Sequence, residues 1–211
     1  MNNKEQVWHR EVITPQVEQT LVALQGTGFL SQFYLAGGTG LALHLGHRRS
    51  QDLDFFSTDL VQPDALIERL QTLEGFSVVS KGAETLHVTV QGVKVSFLGY
   101  VYPILFPMES FLRVNVADPR DIAGMKISAI AGRGTKRDFV DLYLVSREYG
   151  LRQTVEWFQQ KFAQANYSRV HILKSLTYFE DADKDPMPDM LIPLSWNEVK
   201  QFFSSEVPRL S

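Results

Sequence analysis

Apolar residues recur along this chain at two periods, and the change from one to the other divides it. TPQVEQTLVALQG opens on Thr14 as a helix N-cap, has Pro15 at the first helical position and closes on Gly26, so the first predicted element is a short amphipathic helix. FYLAG (33–37) then reads as a short apolar strand, and TGLALHLG (39–46) has helical spacing at Leu41, Ala42 and Leu45. LDFFS (53–57) predicts a second strand and PDALIERLQTLEG (63–75) a helix. FSVVSKG, TLHVTVQG and VKVSFLGYVYP predict three more strands broken by glycine turns.

After Pro107 the pattern is helical. Asp118 caps a helix with Pro119 at its first position, Thr135 precedes KRDFVDLYLVSREYG, Ser168 precedes RVHILKSLTYFEDA, and Ser195 with Glu198 makes a capping box. TVEWFQQKFAQA brings the predicted helices of this half to about five. The boundary falls between Tyr102 and Asp118. The expected organisation is an α/β core with an N-terminal helix over residues 1–106 and a helical domain over 107–211. The acidic stretch FEDADKDPMPDM is expected to be a solvated linker before the last helix.

Composition narrows the class. The 211 residues are 44% apolar and 21% charged with a net charge of -3, which is ordinary globular composition rather than that of a disordered chain. The absence of cysteine removes disulfides, thiol nucleophiles and thiolate metal sites, so a metal must be held by oxygen or imidazole. No apolar run reaches the ~18 residues needed to cross a bilayer, and the opening MNNKEQVWHREV has no hydrophobic export core. A cytoplasmic location with no membrane partner is expected.

The chemistry concentrates in FYLAGGTGLALHLGHRRSQDLDFFS. Gly37 and Gly38 lie where a strand turns into a helix, and backbone N–H groups at such a start, with the Thr39 hydroxyl, make a phosphate-sized anion site. Asp52 and Asp54 follow at i and i+2 on a strand, so both carboxylates share one face while Leu53, Phe55 and Phe56 are expected to supply the buried side. Two oxygen ligands suit Mg²⁺, which bridges to substrate phosphates. Together these features describe metal-assisted phosphoryl or nucleotidyl transfer from an NTP. Arg48, Arg49 and Ser50, just before the acid strand, can steer phosphates, or can simply balance the carboxylates.

Each feature has a plainer explanation. A glycine pair is most often a turn, and DLD most often a strand-end acid pair. His44 and His47 lack an acid partner at ligand spacing and fit packing better than zinc. Trp157, Phe158 and Phe162 fall at helical spacing and fit a core. By spacing alone Lys126 belongs to a solvated helix face, Asp138 to a capping box with Thr135, and Asp141 to a surface pair with Arg137. Arg113, Arg120, Lys126, Arg133, Lys136 and Arg137 form the best candidate for a basic RNA-facing patch.

The string GGTGLALHLGHRRSQDLDFF followed by KRDFVDLY resembles the AbiEii/AbiGii toxin family within the DNA polymerase β-like nucleotidyltransferase superfamily. The resemblance spans roughly residues 33–143. It implies a nucleotidyltransferase-fold mixed sheet with flanking helices plus a C-terminal helical bundle. It implies NTP and metal contacts at Gly38, Thr39, Asp52 and Asp54, and catalytic or binding roles for Lys126 and Asp138, with Asp141 nearby. The residue pattern adds Gly37, Arg48, Arg49 and Ser50 to the expected nucleotide-binding set and assigns Mg²⁺ to Asp52 and Asp54. Expected partners are an NTP, an RNA acceptor such as tRNA, and a cognate antitoxin protein. Polymerase-like relatives place a third carboxylate on a later strand, where VKVSF offers Lys94 and Ser96. An NTP-binding module acting through protein partners, and a small-molecule nucleotidyltransferase, therefore stand as alternatives.

Overall fold

In the computed structural model, which describes residues 7–210, the polypeptide forms two units. One contains the chain up to Pro103 together with Pro107–Ala117, and the other contains Ile104–Phe106 with the chain from Asp118 onward. The opening segment read for an export signal lies partly outside the described residues, since residues 1–6 are not among them.

The first unit is built on a seven-stranded mixed sheet. Its strands are β1 (Tyr34–Leu35), β2 (Leu53–Ser57), β3 (Ser77–Lys81), β4 (Thr85–Val90), β5 (Val93–Gly99), β6 (Glu109–Phe111) and β7 (Val114–Val116), in the order β3-β4-β5-β2-β1-β7-β6. β2 runs parallel to β5, and β1 parallel to β7, while the remaining neighbours are antiparallel. Side chains alternate across a strand. Leu53 and Phe55, Leu86 and Val88, and Val95 and Phe97 are therefore buried together on one face. Helices α1 (Pro15–Gly26) and α3 (Pro63–Leu70) contribute Val17, Leu21, Leu24, Leu66 and Leu70 to the same core. Phe55 and Phe97 stack within it at 5.5 Å, and Phe29 and Phe33 meet Phe97 edge-on. The opposite face carries Asp54, Ser96 and His87, all half-buried.

The caps predicted at Thr14 and Asp118 hold. The Thr14 hydroxyl accepts from the Val17 N–H at 3.3 Å. Asp118 accepts from the Arg120 N–H at 2.8 Å. Helix α2 (Gly37–Leu45) begins at the first glycine of the pair, earlier than the apolar spacing indicates, and α3 stops at Leu70.

The second unit consists of α4 (Pro119–Gly132), α5 (Lys136–Tyr149), α6 (Leu151–Lys161), α7 (Arg169–Ser175), α8 (Glu180–Lys184) and α9 (Trp196–Glu206). Phe139 on α5 is surrounded by Phe179, Trp196 and Phe203 at ring separations of 5.2 to 5.9 Å. Trp157, Phe158 and Phe162 are buried, as their spacing predicts. The capping box is complete, with Ser195 accepting from the Glu198 N–H and the Glu198 carboxylate accepting from the Ser195 N–H.

Three expectations change. Residues 109–116, expected in the helical half, pair as the β6–β7 hairpin. Its turn puts Leu112 (φ 50) and Arg113 (φ 63) in the left-handed region without the Asn-Gly or Gly signature that announces such a turn. The acidic stretch is not a solvated linker throughout. It folds into α8, buries Ala182, and lets Asp185 accept from the Lys136 N–H at 3.0 Å. The proposed basic patch is partly neutralised by ion pairs and burial, while Arg113 and Arg137 stay exposed. Arg120 pairs with Asp118 (2.8 Å), Lys126 and Lys136 are buried, and Arg133 binds Asp138 (3.0 Å).

Candidate active site

The strand–glycine–helix turn and the acid strand come together in the first unit. β1 and β2 are antiparallel neighbours, with Leu35 opposite Phe55 and the Ala36 N–H donating to the Asp54 carbonyl at 3.1 Å. This pairing brings the Asp54 side chain over the start of α2. A Cβ added to Gly37 would lie 2.9 Å from Asp54 Oδ2, and Gly37 has φ +63, so any side chain there is both strained and in collision with the carboxylate. A Cβ at Gly38 would lie 2.5 Å from Arg48 Nη2 and 3.4 Å from Ser50 Oγ. The two glycines therefore admit, from two sides, the acid of β2 and the guanidinium of the loop before it.

The first intrahelical bond of α2 runs from the Gly40 N–H to the Ala36 carbonyl at 3.0 Å. The N–H groups of Gly37, Gly38 and Thr39 precede it, which is the arrangement that receives phosphate at a helix start. Arg48, only 4% exposed, adds a fixed positive charge beside them. Arg49 is exposed. Thr39 does something other than expected. Its buried hydroxyl lies 2.8 Å from Ser50 Oγ and donates to the Asp52 carbonyl, so it ties α2 to the segment entering β2. Its backbone N–H remains part of the helix start.

Asp54 lies on β2 and Asp52 just before it, both half-buried and alternating with buried Leu53 and Phe55, consistent with carboxylates on one face. Phe56, expected on the buried side, is instead half-buried against Tyr34 and Tyr100. Among the described residues no three His, Cys, Asp or Glu side chains converge as a metal site. A two-carboxylate donor set still fits Mg²⁺, which is commonly held by one or two carboxylates plus substrate phosphates. Ser96 stands directly opposite Asp54 on the parallel neighbour β5, where a third carboxylate would extend the row. Its hydroxyl lies 3.0 Å from Nδ1 of His87, its partner on β4. Sequence spacing shows that these side chains alternate, but not which strands lie side by side.

Lys126, Asp138 and Asp141 gather within the helical unit. Lys126 Nζ lies 2.9 Å from Asp138 and 2.6 Å from Asp141, with both carboxylates fully buried. Lys126 is therefore not on a solvated face, and Asp141 faces Lys126 inside the unit. Asp138 also accepts from Arg133 (3.0 and 3.3 Å) and from the Thr135 hydroxyl (2.6 Å). The hydroxyl–carboxylate bond replaces the predicted capping box, in which Thr135 would accept from a backbone N–H. Burial works to raise the Asp138 carboxyl, but the Lys126 ammonium and the Arg133 guanidinium outweigh it and hold it at about 2. Arg133 is the member of this cluster that the sequence reading assigned only to a surface patch.

His44 and His47 pack as expected. His44 Nε2 meets the Ala117 carbonyl at 3.0 Å and its ring lies 4.6 Å from that of Trp8, while His47 is buried. No helix among the described residues is long and apolar enough to cross a membrane.

The profile of the family described as "Nucleotidyl transferase AbiEii toxin, Type IV TA system" matches residues 19–102 and 93–209. An uncharacterized protein of Aquifex aeolicus (strain VF5) is 36% identical over 195 residues, covering 90% of this chain and 93% of its own length. Among solved structures, the fold resembles MenT4, the nucleotidyltransferase toxin Rv2826c of Mycobacterium tuberculosis H37Rv, at a TM-score of 0.54 and 16% identity, over 94% of this chain and 87% of that one. It also resembles JHP933 of Helicobacter pylori, at a TM-score of 0.51 and 14% identity, over 94% and 93%.

Proposed function

The chain belongs to the AbiEii family of nucleotidyl transferase toxins and is a nucleotidyltransferase, and from that premise we propose that it moves a nucleotide from an NTP onto an RNA 3′ end of the tRNA kind, using Mg²⁺ held by Asp52 and Asp54. The observation that carries this reading is the approach of the Asp54 carboxylate to the Gly37 bend, which puts an acid beside a phosphate-sized cradle. The N–H groups of Gly37, Gly38 and Thr39 receive the NTP phosphates, and Arg48 neutralises part of their charge, with Ser50 beside it and Arg49 reaching the solvent side.

When bound, the divalent ion supplies the positive charge that a transferring phosphoryl group requires. Lys126 has three ammonium hydrogens, of which Asp138 and Asp141 take two, and the family resemblance gives it a catalytic or binding role. Asp138 holds Lys126 in place. A carboxyl held at about 2 is a poor proton acceptor, so the orienting role is favoured over deprotonation of the acceptor. The family implies a cognate antitoxin as protein partner, and the site of action is the cytoplasm.

Ser96 at the position of a third carboxylate favours one second reading, an NTP-binding module that acts through protein partners without turnover. Incubation with α-labelled NTPs, Mg²⁺ and total tRNA tests between them. Labelled RNA is expected. Metal-dependent NTP binding with no transfer would establish the second reading, and label moving to an aminoglycoside instead of RNA would replace the acceptor class.

A further inference from the structure

Ser96 and His87 form a polar pair on the acid face of the sheet that the phosphate-binding account leaves unused. The parallel register of β2 and β5 sets Ser96 opposite Asp54, and the antiparallel register of β4 and β5 sets His87 opposite Ser96. Asp54, Ser96 and His87 thus form one transverse row across three adjacent strands. Their neighbours along each strand, Leu53 and Phe55, Val95 and Phe97, and Leu86 and Val88, are buried on the other face. A row of side chains fixed by three paired strands is held more tightly than one on a loop.

Nucleotidyl transfer onto a hydroxyl requires that the hydroxyl lose its proton, and the reading above leaves that proton without an acceptor. Asp138 is already engaged by Lys126, Arg133 and Thr135. Asp52 and Asp54 are assigned to the metal. Imidazole is the side chain best suited to take up a proton near neutral pH.

We propose that Ser96 and His87 form the proton route of the reaction, with Ser96 touching the acceptor hydroxyl and His87 acting through it. The inference rests on the nucleotidyl-transfer reading. The 3.0 Å separation of Ser96 Oγ and His87 Nδ1 lets Ser96 donate when the imidazole hydrogen sits on Nε2, the tautomer this route requires. As the acceptor oxygen bonds to the α-phosphorus and the bond from that phosphorus to the pyrophosphate oxygen breaks, the acceptor proton passes to Ser96 Oγ. The proton of Ser96 passes in turn to His87 Nδ1. The products are the extended acceptor, pyrophosphate and an imidazolium that later releases its proton to solvent. Ser96 is the member of the pair that touches the acceptor, and His87 acts through it, orienting the hydrogen bond and taking up the proton that Ser96 passes on.

The charged groups facing this row are Lys94 on β5, Asp54 on β2 and Asp52 just before it. From β3, Ser80 lies opposite His87, and the neighbouring Lys81 pairs with Asp64 of α3 at 2.8 Å. An imidazolium in the row therefore has the β2 carboxylates to offset it and Lys94 to oppose it.

Two measurements test the route. In the full chain without substrate, long-range ¹H–¹⁵N spectra of the His87 imidazole at neutral pH should show hydrogen on Nε2 and an accepting Nδ1, with the Nδ1 signal shifted in Ser96→Ala. In transfer assays, His87→Gln and Ser96→Ala should each lower kcat by roughly 10²-fold or more with little change in KM for the NTP. The acid side of the kcat–pH profile should flatten, and Ser96→Asp, whose carboxylate accepts the proton directly, should restore part of the rate. Hydrogen on Nδ1, or a His87→Gln enzyme with wild-type kcat and pH profile, overturns the proton route while leaving nucleotidyl transfer standing. A wild-type chain that labels no acceptor overturns both.

Discussion

Lys161 Nζ lies 2.7 Å from Asp121 Oδ1, and both side chains are completely buried in the helical unit. Asp121 also accepts from the Leu105 N–H at 3.1 Å and the Phe106 N–H at 2.9 Å, so one carboxylate fixes the short segment 104–106 to the helix that carries it. Replacing Lys161 with Met leaves a buried carboxylate without its cation, and removing one partner of such a pair costs about 3–5 kcal/mol. Chemical denaturation should show that loss. A double Asp121→Leu, Lys161→Met variant should not recover it fully, because the two amides then lose their acceptor.

Asp138 gives a stability signature in acid. Its carboxyl lies at about 2 in the folded chain against an ordinary 3.8, so the stabilisation is fully present above 3.8 and is lost as pH falls through about 2. The shift corresponds to about 2 kcal/mol. Urea midpoints followed across that window should fall more steeply in wild type than in Asp138→Asn. Parallel curves would contradict the assignment.

The two glycines should respond differently to alanine. At Gly37 the positive φ alone costs an alanine about 1–2 kcal/mol, and the new methyl must also displace Asp54. At Gly38 no such backbone strain exists, and the methyl displaces the end of the Arg48 side chain. Gly37→Ala is expected to lower both melting temperature and NTP affinity, whereas Gly38→Ala should lower chiefly affinity, as measured by thermal unfolding and calorimetric titration.

The Ser195 capping box supplies a control remote in chemistry from the site. Ser195→Ala should destabilise by about 1 kcal/mol and leave the transfer rate unchanged.

The site's local pieces were legible because each is written in a short window. Thr14 and Pro15, the glycine pair and the LDFFS alternation all lie within one turn or strand of their partners. The approach of Asp54 to Gly37 required the further fact that β1 pairs with β2, and the Ser96–His87 bond required the β2-β5-β4 strand order. Neither can be read from spacing. The β6–β7 hairpin escaped for a different reason, since Leu112 and Arg113 occupy turn positions where glycine or asparagine would have marked it. Lys126 was misplaced by helical periodicity, which sorts residues by polarity and therefore assigns a buried ammonium to water.

The central claim is that Asp52 and Asp54 act with the glycine cradle in nucleotidyl transfer. The most direct test follows an NTP labelled at the α-phosphate through wild type and Asp54→Ala with Mg²⁺ and tRNA. The account predicts α-label in RNA with release of pyrophosphate from wild type and none from the variant. Undiminished transfer of label by folded Asp54→Ala would contradict it.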